Sequence, residues 1–509
     1  MVTLGSTTLL ISDASFSGLI SGPGKLQISN TGSAAIFSGA NTYSGGTTLS
    51  DASVSIGNAG ALGSGTIDIS NGTLSSTASG TLANDINLGI SYCCFSPPRT
   101  FLAHLEVAPG QTLTLAGAVQ IGGDGAIFGS SSNSGTIVFA PSSASAGTFV
   151  KFEVAGGTLK AGNTQLGAVT SAVYGVQVDA GAVLDLANYP TTINQLGGDG
   201  QVKIDGATLR LGYSTFAGTI VGTGMLELSN SRGQPTQLLG SNTYAGGTVI
   251  DSDAILQLGS GGTSGSIAGN VANSGLFTVN RSDSYTFSSV ISGSGALRQS
   301  GSGTTILTGA NTYTGGTTIS SGTLQIGNGG TSGSISGNIV NNATLIFNRS
   351  DSVNTFGQVI SGTGTLVQMG TGTLTLAGTN TYSGGTIVSA GTLQANNGLG
   401  TGDVTINGGT VSVIRRTFSL GALQGGGGTL EMSGSFLTFI SEKSTTFAGT
   451  IVDSLSGQLT KAGGGILTLT GPTTTPAAPC LPARAPCSWE RAAACPMAVR
   501  SPSMAACWI

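Results

Sequence analysis

Charged residues are scarce in this sequence, and their scarcity excludes several classes of protein. The 509 residues include 17 Lys and Arg and 21 Asp and Glu, or 7% charged residues, against about 25% in an average globular protein. The net charge is −4 and the basic residues form no stripe. A phosphate backbone needs many basic contacts. Nucleic acid is therefore not an expected partner.

Long apolar runs are also missing. No run approaches the roughly 18 apolar residues that span a bilayer as a helix. The start, residues 1–8, has no basic region before the short apolar patch Leu9–Ile11. A secretory signal peptide combines a basic region with a longer apolar one. The sequence as given therefore predicts neither a membrane helix nor a signal peptide.

Cysteine, histidine and tryptophan are confined to two segments, 91–104 and 472–509. The sets are Cys93, Cys94 and His104 in the first, and Cys480, Cys487, Cys495, Cys507, Trp489 and Trp508 in the second. The cysteine spacings match no CxxC pair and resemble no zinc site. No metal or other cofactor is expected. Both segments differ in composition from the Thr-, Gly- and Leu-rich sequence next to them. We interpret them as out-of-frame translation, a hypothesis that the nucleotide sequence tests.

Glycine and apolar residues are abundant, and together they predict an ordered chain. Glycine accounts for 86 residues, hydrophobic residues for 39%, and the mean hydropathy is +0.26. Disordered chains combine low hydropathy with high net charge. This composition has neither property, so the chain is expected to fold.

The heptapeptide Asn-Thr-Tyr-x-Gly-Gly-Thr occurs four times, and its last three copies start at a constant interval, at Asn242, Asn311 and Asn380. A fixed period of this size indicates a repeat architecture. We predict a structural role for the recurring Asn, Tyr, Gly and Gly. These residues are Asn41, Tyr43, Gly45, Gly46, Asn242, Tyr244, Gly246, Gly247, Asn311, Tyr313, Gly315, Gly316, Asn380, Tyr382, Gly384 and Gly385.

Between the heptapeptides, apolar patches of three to five residues alternate with Gly-rich turn signals, as expected of short strands. We predict an all-β fold, a right-handed parallel β-helix over residues 1–471, in which each 69-residue period forms three coils of about 23 residues. Alternation places Leu324 and Ile326 inside and Gln325 in solvent. Tyr174 precedes Tyr244 by close to one period, and we interpret it as an eroded copy of the repeat.

The segments 301–327 and 370–397 combine Gly-x-Gly and Leu-x-Gly flanks with the heptapeptide. This text resembles the autotransporter-associated β-strand repeat of passenger domains in bacterial type V secretion proteins. The resemblance implies a stalk or adhesin on the cell surface or released from it, with surface glycans or proteins of host or bacterial cells as partners. It also implies a C-terminal outer-membrane barrel, which we do not expect in this sequence because no series of amphipathic strands follows residue 471.

A β-helix also suits a carbohydrate-active enzyme, which needs converging carboxylates with a basic partner. The candidates are Asp179 with Asp185, and Asp199 with Asp205 beside Lys203. We expect these to be solvated surface or turn acids without a dense cluster, and therefore no enzyme. A protease triad is not expected either, because His104 is the only histidine.

Three other recurrences leave alternatives open. The segments Asn280–Asp283 and Asn348–Asp351 repeat an Arg/Asp pair that suits either an acidic sugar or, as we favour, a turn. Gly-Gly-Asp-Gly at 122–125 and 197–200 is interpreted as a turn and not as a calcium site. The heptapeptide tyrosines suit an aromatic ladder for glycans or, as favoured here, internal packing.

Overall fold

The computed structural model describes residues 1–12, 15–29, 34–89, 102–147, 150–229, 233–352 and 354–474. The chain is divided into two compact units. Unit 1 contains Met1–Ser260 and Ser264–Leu276, and unit 2 contains Gly261–Thr263 and the chain from Phe277 onward. Each unit is a parallel β-solenoid, and this confirms the all-β fold that the sequence predicts. The right-handed winding stays a prediction.

Among its described residues, unit 1 contains one short helix, Gln165–Ala172, and many short strands. The strands are Val2–Thr3, Thr8–Ile11, Ile20–Ser21, Lys25–Ser29, Ala35–Phe37, Thr47–Ser50, Ser53–Ile56, Ile67–Ser70, Gly72–Ser76, Gly80–Leu82, Ile86–Leu88, Leu102–Leu115, Val119–Ile121, Gly125–Phe128, Ser134–Phe139, Ala144–Ala146, Lys151–Val154, Thr158–Ala161, Val176–Val178, Val183–Asp185, Thr191–Ile193, Leu196–Gly198, Gln201–Lys203, Thr208–Leu211, Thr215–Phe216, Thr219–Val221, Met225–Leu228, Thr236–Leu238, Thr248–Ile250, Ile255–Leu258 and Val271–Asn273.

The strand Leu276–Val279 begins in unit 1 and continues into unit 2. The other strands of unit 2 are Ser284–Phe287, Ile291–Ser292, Ala296–Gln299, Thr304–Leu307, Thr317–Ile319, Thr323–Ile326, Ile339–Asn341, Thr344–Phe347, Asn354–Phe356, Ile360–Ser361, Thr365–Gln368, Thr373–Leu376, Thr386–Val388, Thr392–Ala395, Val404–Ile406, Thr410–Ser412, Thr417–Leu420, Leu423–Gln424, Thr429–Glu431, Phe436–Ile440, Thr445–Phe447, Thr450–Val452, Gln458–Ala462, Leu467–Leu469 and Thr473–Thr474.

The coil is shorter than the sequence predicts. In unit 2, Leu297 pairs in parallel with Thr317, Thr317 with Ile339, and Ile339 with Ile360, so that three coils are complete at Ile360. In the next sequence repeat, the residue equivalent to Leu297 is Leu366. Leu366 lies on the strand that follows Ile360–Ser361, and this strand belongs to a different sheet from that of Leu297. The prediction of three 23-residue coils per repeat is wrong, because it assumed that one sequence repeat fills a whole number of coils.

This mismatch moves the heptapeptide from face to face. In unit 2, the copy at Asn311 leads into Thr317–Ile319 and the copy at Asn380 leads into Thr386–Val388, and these strands belong to different sheets. In unit 1, the strands that follow Asn41 and Asn242 also belong to different sheets. Successive copies within a unit therefore do not stack on one another.

Alternate side chains of each strand form the core, as the pleat of a strand requires. Leu324 and Ile326 are buried as predicted, and they stack in register on Leu345 and Phe347 of the next coil. Gln325 is also buried, which contradicts its predicted exposure. Its amide nitrogen turns back to donate to the carbonyl oxygen of Gly327 at 2.8 Å, so the side chain folds against its own coil.

Tyr174 does not take the position of the heptapeptide tyrosines. It follows the helix Gln165–Ala172, and 53% of its surface is exposed. The interpretation of Tyr174 as an equivalent of Tyr244 is therefore wrong at the level of structure. The helix displaces the corner that the spacing predicted there.

Neither anomalous segment can be placed in full. Residues 91–101 and 475–509 lie outside the described part of the chain, so the out-of-frame hypothesis stays a prediction. The strand Thr473–Thr474 still pairs in parallel with Ile451 and Val452. Across the residues that the structure describes, no helix combines the length and the apolar character that crossing a membrane requires.

Candidate functional site

The asparagine of each heptapeptide links three coils. Its side-chain oxygen accepts the backbone N–H of an isoleucine on the preceding coil: Ile20 to Asn41 at 2.7 Å, and Ile220 to Asn242, Ile291 to Asn311 and Ile360 to Asn380 at 2.8 Å. Its amide nitrogen donates to a carbonyl oxygen on the following coil, at Ala61, Ser266, Ser334 and Gly398. All four asparagines are buried. Each amide thus satisfies backbone groups that a corner would otherwise leave unpaired.

The tyrosine of each heptapeptide is fully buried and bonded to the threonine four residues later. The oxygen-to-oxygen distance is 2.6 Å between Tyr43 and Thr47 and 2.7 Å in the other three copies. A buried phenol needs such a partner. Because the rings are inaccessible and successive copies enter different sheets, they form no aromatic ladder for a glycan.

The two glycines have different reasons to lack a side chain. A β-carbon at Gly315 would lie 2.6 Å from the backbone of Gly295 on the preceding coil. The second glycine has a positive φ in every copy, of 91° at Gly46, 81° at Gly247, 84° at Gly316 and 97° at Gly385. Only glycine adopts this conformation without strain. From these contacts we propose a structural role for the heptapeptide, as a buried corner that joins adjacent coils.

A β-carbon at Gly315 is expected to force adjacent coils apart. Gly315→Ala should lower the free energy of unfolding by about 1–3 kcal/mol, as overpacking typically does. Gly330→Ala is the matched control, because among the described residues no atom lies within 4 Å of the place its β-carbon would take, and its φ is not positive. That variant should stay within about 0.5 kcal/mol of the parent in urea unfolding. Equal losses for both variants would contradict the close approach.

Burial raises the pKa of Tyr43 and Tyr382 to about 12 and also raises the pKa of Tyr313, against a smaller opposite effect of the threonine hydrogen bonds. Tyrosines of the unfolded chain titrate at about pH 10. The folded state therefore holds these protons more tightly, so their contribution to stability is complete below about pH 10 and is lost as the pH rises toward 12.

Alkaline unfolding should follow from these pKa values. Between about pH 10 and 12, each buried tyrosine is expected to cost about 1 kcal/mol per pH unit. The measurement is the urea midpoint as a function of pH, with phenolate absorbance recorded in parallel. Complete ionisation of all tyrosines at about pH 10, with the β-sheet circular dichroism unchanged, would contradict the burial of these phenols.

The two repeated arginines are held by their own segments. Arg281 is buried, donates to both carboxylate oxygens of Asp283 at 2.9 and 2.8 Å, and lies 4.8 Å from the ring centre of Tyr285. Arg349 binds Asp351 in the same way at 2.9 and 2.7 Å. Each guanidinium also donates to a backbone carbonyl, of Thr263 and Gly333 respectively. These contacts support the turn interpretation over an acidic-sugar site.

The arginine hydrogen bonds lower the pKa of Asp283 and Asp351. The carboxylates therefore stay ionised and available to their arginines. A planar guanidinium that meets a carboxylate through two parallel bonds is a geometrically specific pair. In each segment, the arginine joins the turn that contains its aspartate to the backbone carbonyl of Thr263 or Gly333.

Two acids of unit 1, Asp185 and Asp205, form a cluster with Lys160 and Lys203 that the sequence did not predict. In adjacent coils, Lys160, Asp185 and Lys203 lie in register, and the carboxylate of Asp185 is 4.0 Å from both lysine nitrogens. Lys203 also pairs with Asp205 at 2.7 Å. The expectation that these acids form no dense cluster with a basic partner across coils is therefore wrong for Asp185 and Asp205. Coil stacking brings together residues that are distant in sequence.

Asp179 and Asp199 do not join this cluster in the contacts described. The Asp179 carboxylate accepts from the amide of Gln177 at 3.2 Å. Asp124, in the first Gly-Gly-Asp-Gly segment, lies in a turn in which Gly125 N–H donates to Gly122 O at 3.0 Å. Within the described ranges, no group of three or more His, Cys, Asp or Glu has the arrangement of a metal site.

His104 lies in the strand Leu102–Leu115, in register with Thr73 on one side and Ile127 on the other. Neither neighbour is a serine. Burial lowers the pKa of its imidazole, against the opposing charges of Glu106 and Glu153. This position gives no support to a protease triad.

Comparisons with known proteins find one repeat family and one curated relative. The passenger-associated-transport-repeat family matches residues 21–56, 236–258, 297–326, 366–395 and 459–475. The first four matches each contain one heptapeptide. No solved structure matches the chain.

A curated relative is also similar over part of the chain. The adhesin BmaC autotransporter of Brucella suis biovar 1 (strain 1330) is 37% identical over an alignment of 239 residues, and the match covers 41% of this chain and 7% of that protein. The chain therefore spans a small part of the length of this relative. It carries the repeat of autotransporter passengers and is homologous to part of an autotransporter adhesin.

Proposed function

We propose that this chain, which carries autotransporter passenger repeats, is a non-enzymatic part of a surface passenger and acts as an adhesin or as a stalk. The main support is that the Asn, the Tyr and the last Thr of every heptapeptide are buried. These side chains pack inside the coils, as in a scaffold. The relative named above is an adhesin, and that name supports the adhesive role.

The surface chemistry supports protein or glycan partners. Many of the exposed residues are Ser, Thr, Asn or Gln, and only 7% of residues are charged. Such a surface offers hydrogen-bond donors and acceptors without a strong field. We therefore propose glycans or proteins on host or bacterial cells as partners, with the chain displayed on the cell surface or released from it.

Attachment of coated beads tests this proposal. Beads that carry the purified full chain are expected to attach to epithelial or bacterial cells in greater number than beads coated with serum albumin. Pretreatment of the beads with antibody against the chain should remove the excess. Attachment equal to that of albumin on every cell type would contradict the adhesive role and leave the stalk.

A second candidate is a carbohydrate-active enzyme, and the cluster of Asp185, Asp205, Lys160 and Lys203 is the observation in its favour. The hydrogen bond that Lys203 donates to Asp205 raises the pKa of the lysine, so this lysine stays protonated and does not suit the role of base. Release of reducing ends from a polysaccharide panel, abolished in Asp185→Asn and Asp205→Asn variants, would establish the enzyme. No release by the parent chain supports the non-enzymatic passenger.

A further inference from the structure

We infer that a surface groove of unit 1 binds a neutral oligosaccharide, an inference that rests on the proposed adhesive function and assigns it a ligand class. The groove encloses about 640 Å³. It lies beside the residues that follow the helix Gln165–Ala172, where Tyr174 replaces the buried corner that the repeat predicts. The site thus occurs where the chain departs from its repeat.

Two tyrosines line one side of the groove. Tyr174 is 53% exposed, and its hydroxyl oxygen lies 2.6 Å from that of Tyr213. This hydrogen bond restrains both side chains before any ligand arrives, which lowers the entropy cost of binding. Tyrosine presents an apolar face together with a polar end. Such a pair suits a sugar ring, which has an apolar face of C–H groups and hydroxyls at its edge.

Amide side chains supply the polar contacts. Gln177, Gln195 and Gln237 line the groove, and each amide both donates and accepts hydrogen bonds. Gly197 lies in register beside Gln177, and a β-carbon there would come within 2.6 Å of the Gln177 side-chain oxygen. The missing side chain at Gly197 leaves room for the Gln177 amide. Hydroxyl groups also donate and accept, so amides and sugars are complementary.

Charge favours a neutral ligand over an acidic one. The groove contains one lysine, Lys151, and its ammonium is paired with Glu153 on the same strand. A site for uronic acids or sulfated sugars needs basic residues to bind the anion. The described lining of this groove has no excess of positive charge.

Calorimetry with defined hexasaccharides tests the inference. The probes are cellohexaose, chitohexaose, maltohexaose and, as the acidic comparison, hexagalacturonate, each titrated into the full chain. At least one neutral hexasaccharide is expected to bind more tightly than hexagalacturonate. Tyr174→Ala and Gln177→Ala should each weaken that binding about tenfold, the loss expected for an aromatic or paired polar contact.

Matched variants separate binding from folding. Gln27→Ala removes an exposed mid-strand glutamine of unit 1 outside the groove and should leave the affinity unchanged. Tyr174→Phe keeps the ring and should retain most of the affinity. Because Tyr174 and Gln177 are exposed, their alanine variants should melt within a few degrees of the parent.

The outcomes distinguish this inference from the proposed function. Absence of binding by all three neutral probes, tighter binding of hexagalacturonate, or full affinity in the Tyr174→Ala, Gln177→Ala double variant would each overturn the groove assignment. If coated beads still attach to cells, and attachment is lost after protease treatment of the cells but not after glycosidase treatment, the adhesin stands and its partner is a protein. If beads fail to attach while the groove binds a probe, the adhesive function fails alone.

Discussion

Tyr313→Ala is expected to lower the free energy of unfolding by about 3–5 kcal/mol, the usual cost of truncating a buried aromatic residue. The ring is completely buried, and its hydroxyl is bonded to Thr317 inside the coil. Truncation leaves a cavity and an unpartnered threonine hydroxyl at a corner. Urea unfolding followed by circular dichroism measures the loss. The midpoint of the unfolding of unit 2 should move to a lower urea concentration.

Two variants sharpen this prediction. Tyr313→Phe removes only the hydroxyl and should cost about 1 kcal/mol, the net worth of one hydrogen bond. Tyr174→Ala removes an exposed tyrosine and should cost no more than about 0.5–1 kcal/mol, as is usual for surface positions. A Tyr313→Ala variant as stable as Tyr174→Ala would show that the heptapeptide tyrosine is not a core residue.

Asn311→Ala is expected to cost about 3 kcal/mol, because it removes three buried hydrogen bonds at once. The amide accepts from Ile291 N–H at 2.8 Å and donates to the carbonyl oxygens of Gly309 and Ser334 at 3.0 Å. Alanine would leave one backbone N–H and two carbonyls without these partners. The loss of a buried partner costs more than the hydrogen bond contributes on average.

The isosteric Asn311→Asp variant tests whether hydrogen bonding or volume matters. Aspartate still accepts from Ile291 but cannot donate to the two carbonyls, and its charge would be buried. We expect at least the loss found for alanine at pH 7. Asn407→Ala, at an exposed position of the same unit, should change stability by less than about 0.5 kcal/mol. An Asn311→Asp variant with parental stability would contradict the described donor contacts.

The sequence predicts the strands and the parallel stacking because both depend on local patterns. Leu324 and Ile326 alternate with polar neighbours, and glycine pairs close each strand, so the short strands and tight corners are encoded within a few residues. A 69-residue period with no room for separate cores then leaves stacking as the way to bury apolar faces.

The number of coils per repeat is not encoded in the same way. Coil length depends on how tightly each corner turns, and Leu297, Thr317, Ile339 and Ile360 follow one another at unequal intervals along the chain. A sequence period gives only the number of residues after which the sequence pattern recurs. It does not give the face on which the recurrence lies.

Side-chain conformations and the contacts between adjacent coils also cannot be predicted from local sequence patterns. Gln325 follows the alternation and still becomes buried, because its amide bonds to a carbonyl two residues later. Asp185 meets Lys160 and Lys203 only after the coils stack. Tyr174 matches the spacing of Tyr244 and yet lies on the surface, because the helix before it changes the path of the chain.

Hydrogen exchange at the isoleucine amides bonded to the heptapeptide asparagines tests the central claim most directly. The claim is that the heptapeptides are buried corners that join adjacent coils. The amides of Ile291 and Ile360 donate to Asn311 and Asn380 at 2.8 Å. We predict that both amides exchange only through unfolding of the unit, as core amides do, and that Asn311→Ala accelerates exchange at Ile291 while leaving Ile360 slower. Exchange of both amides in the parent chain as fast as that of exposed loop amides would contradict the account.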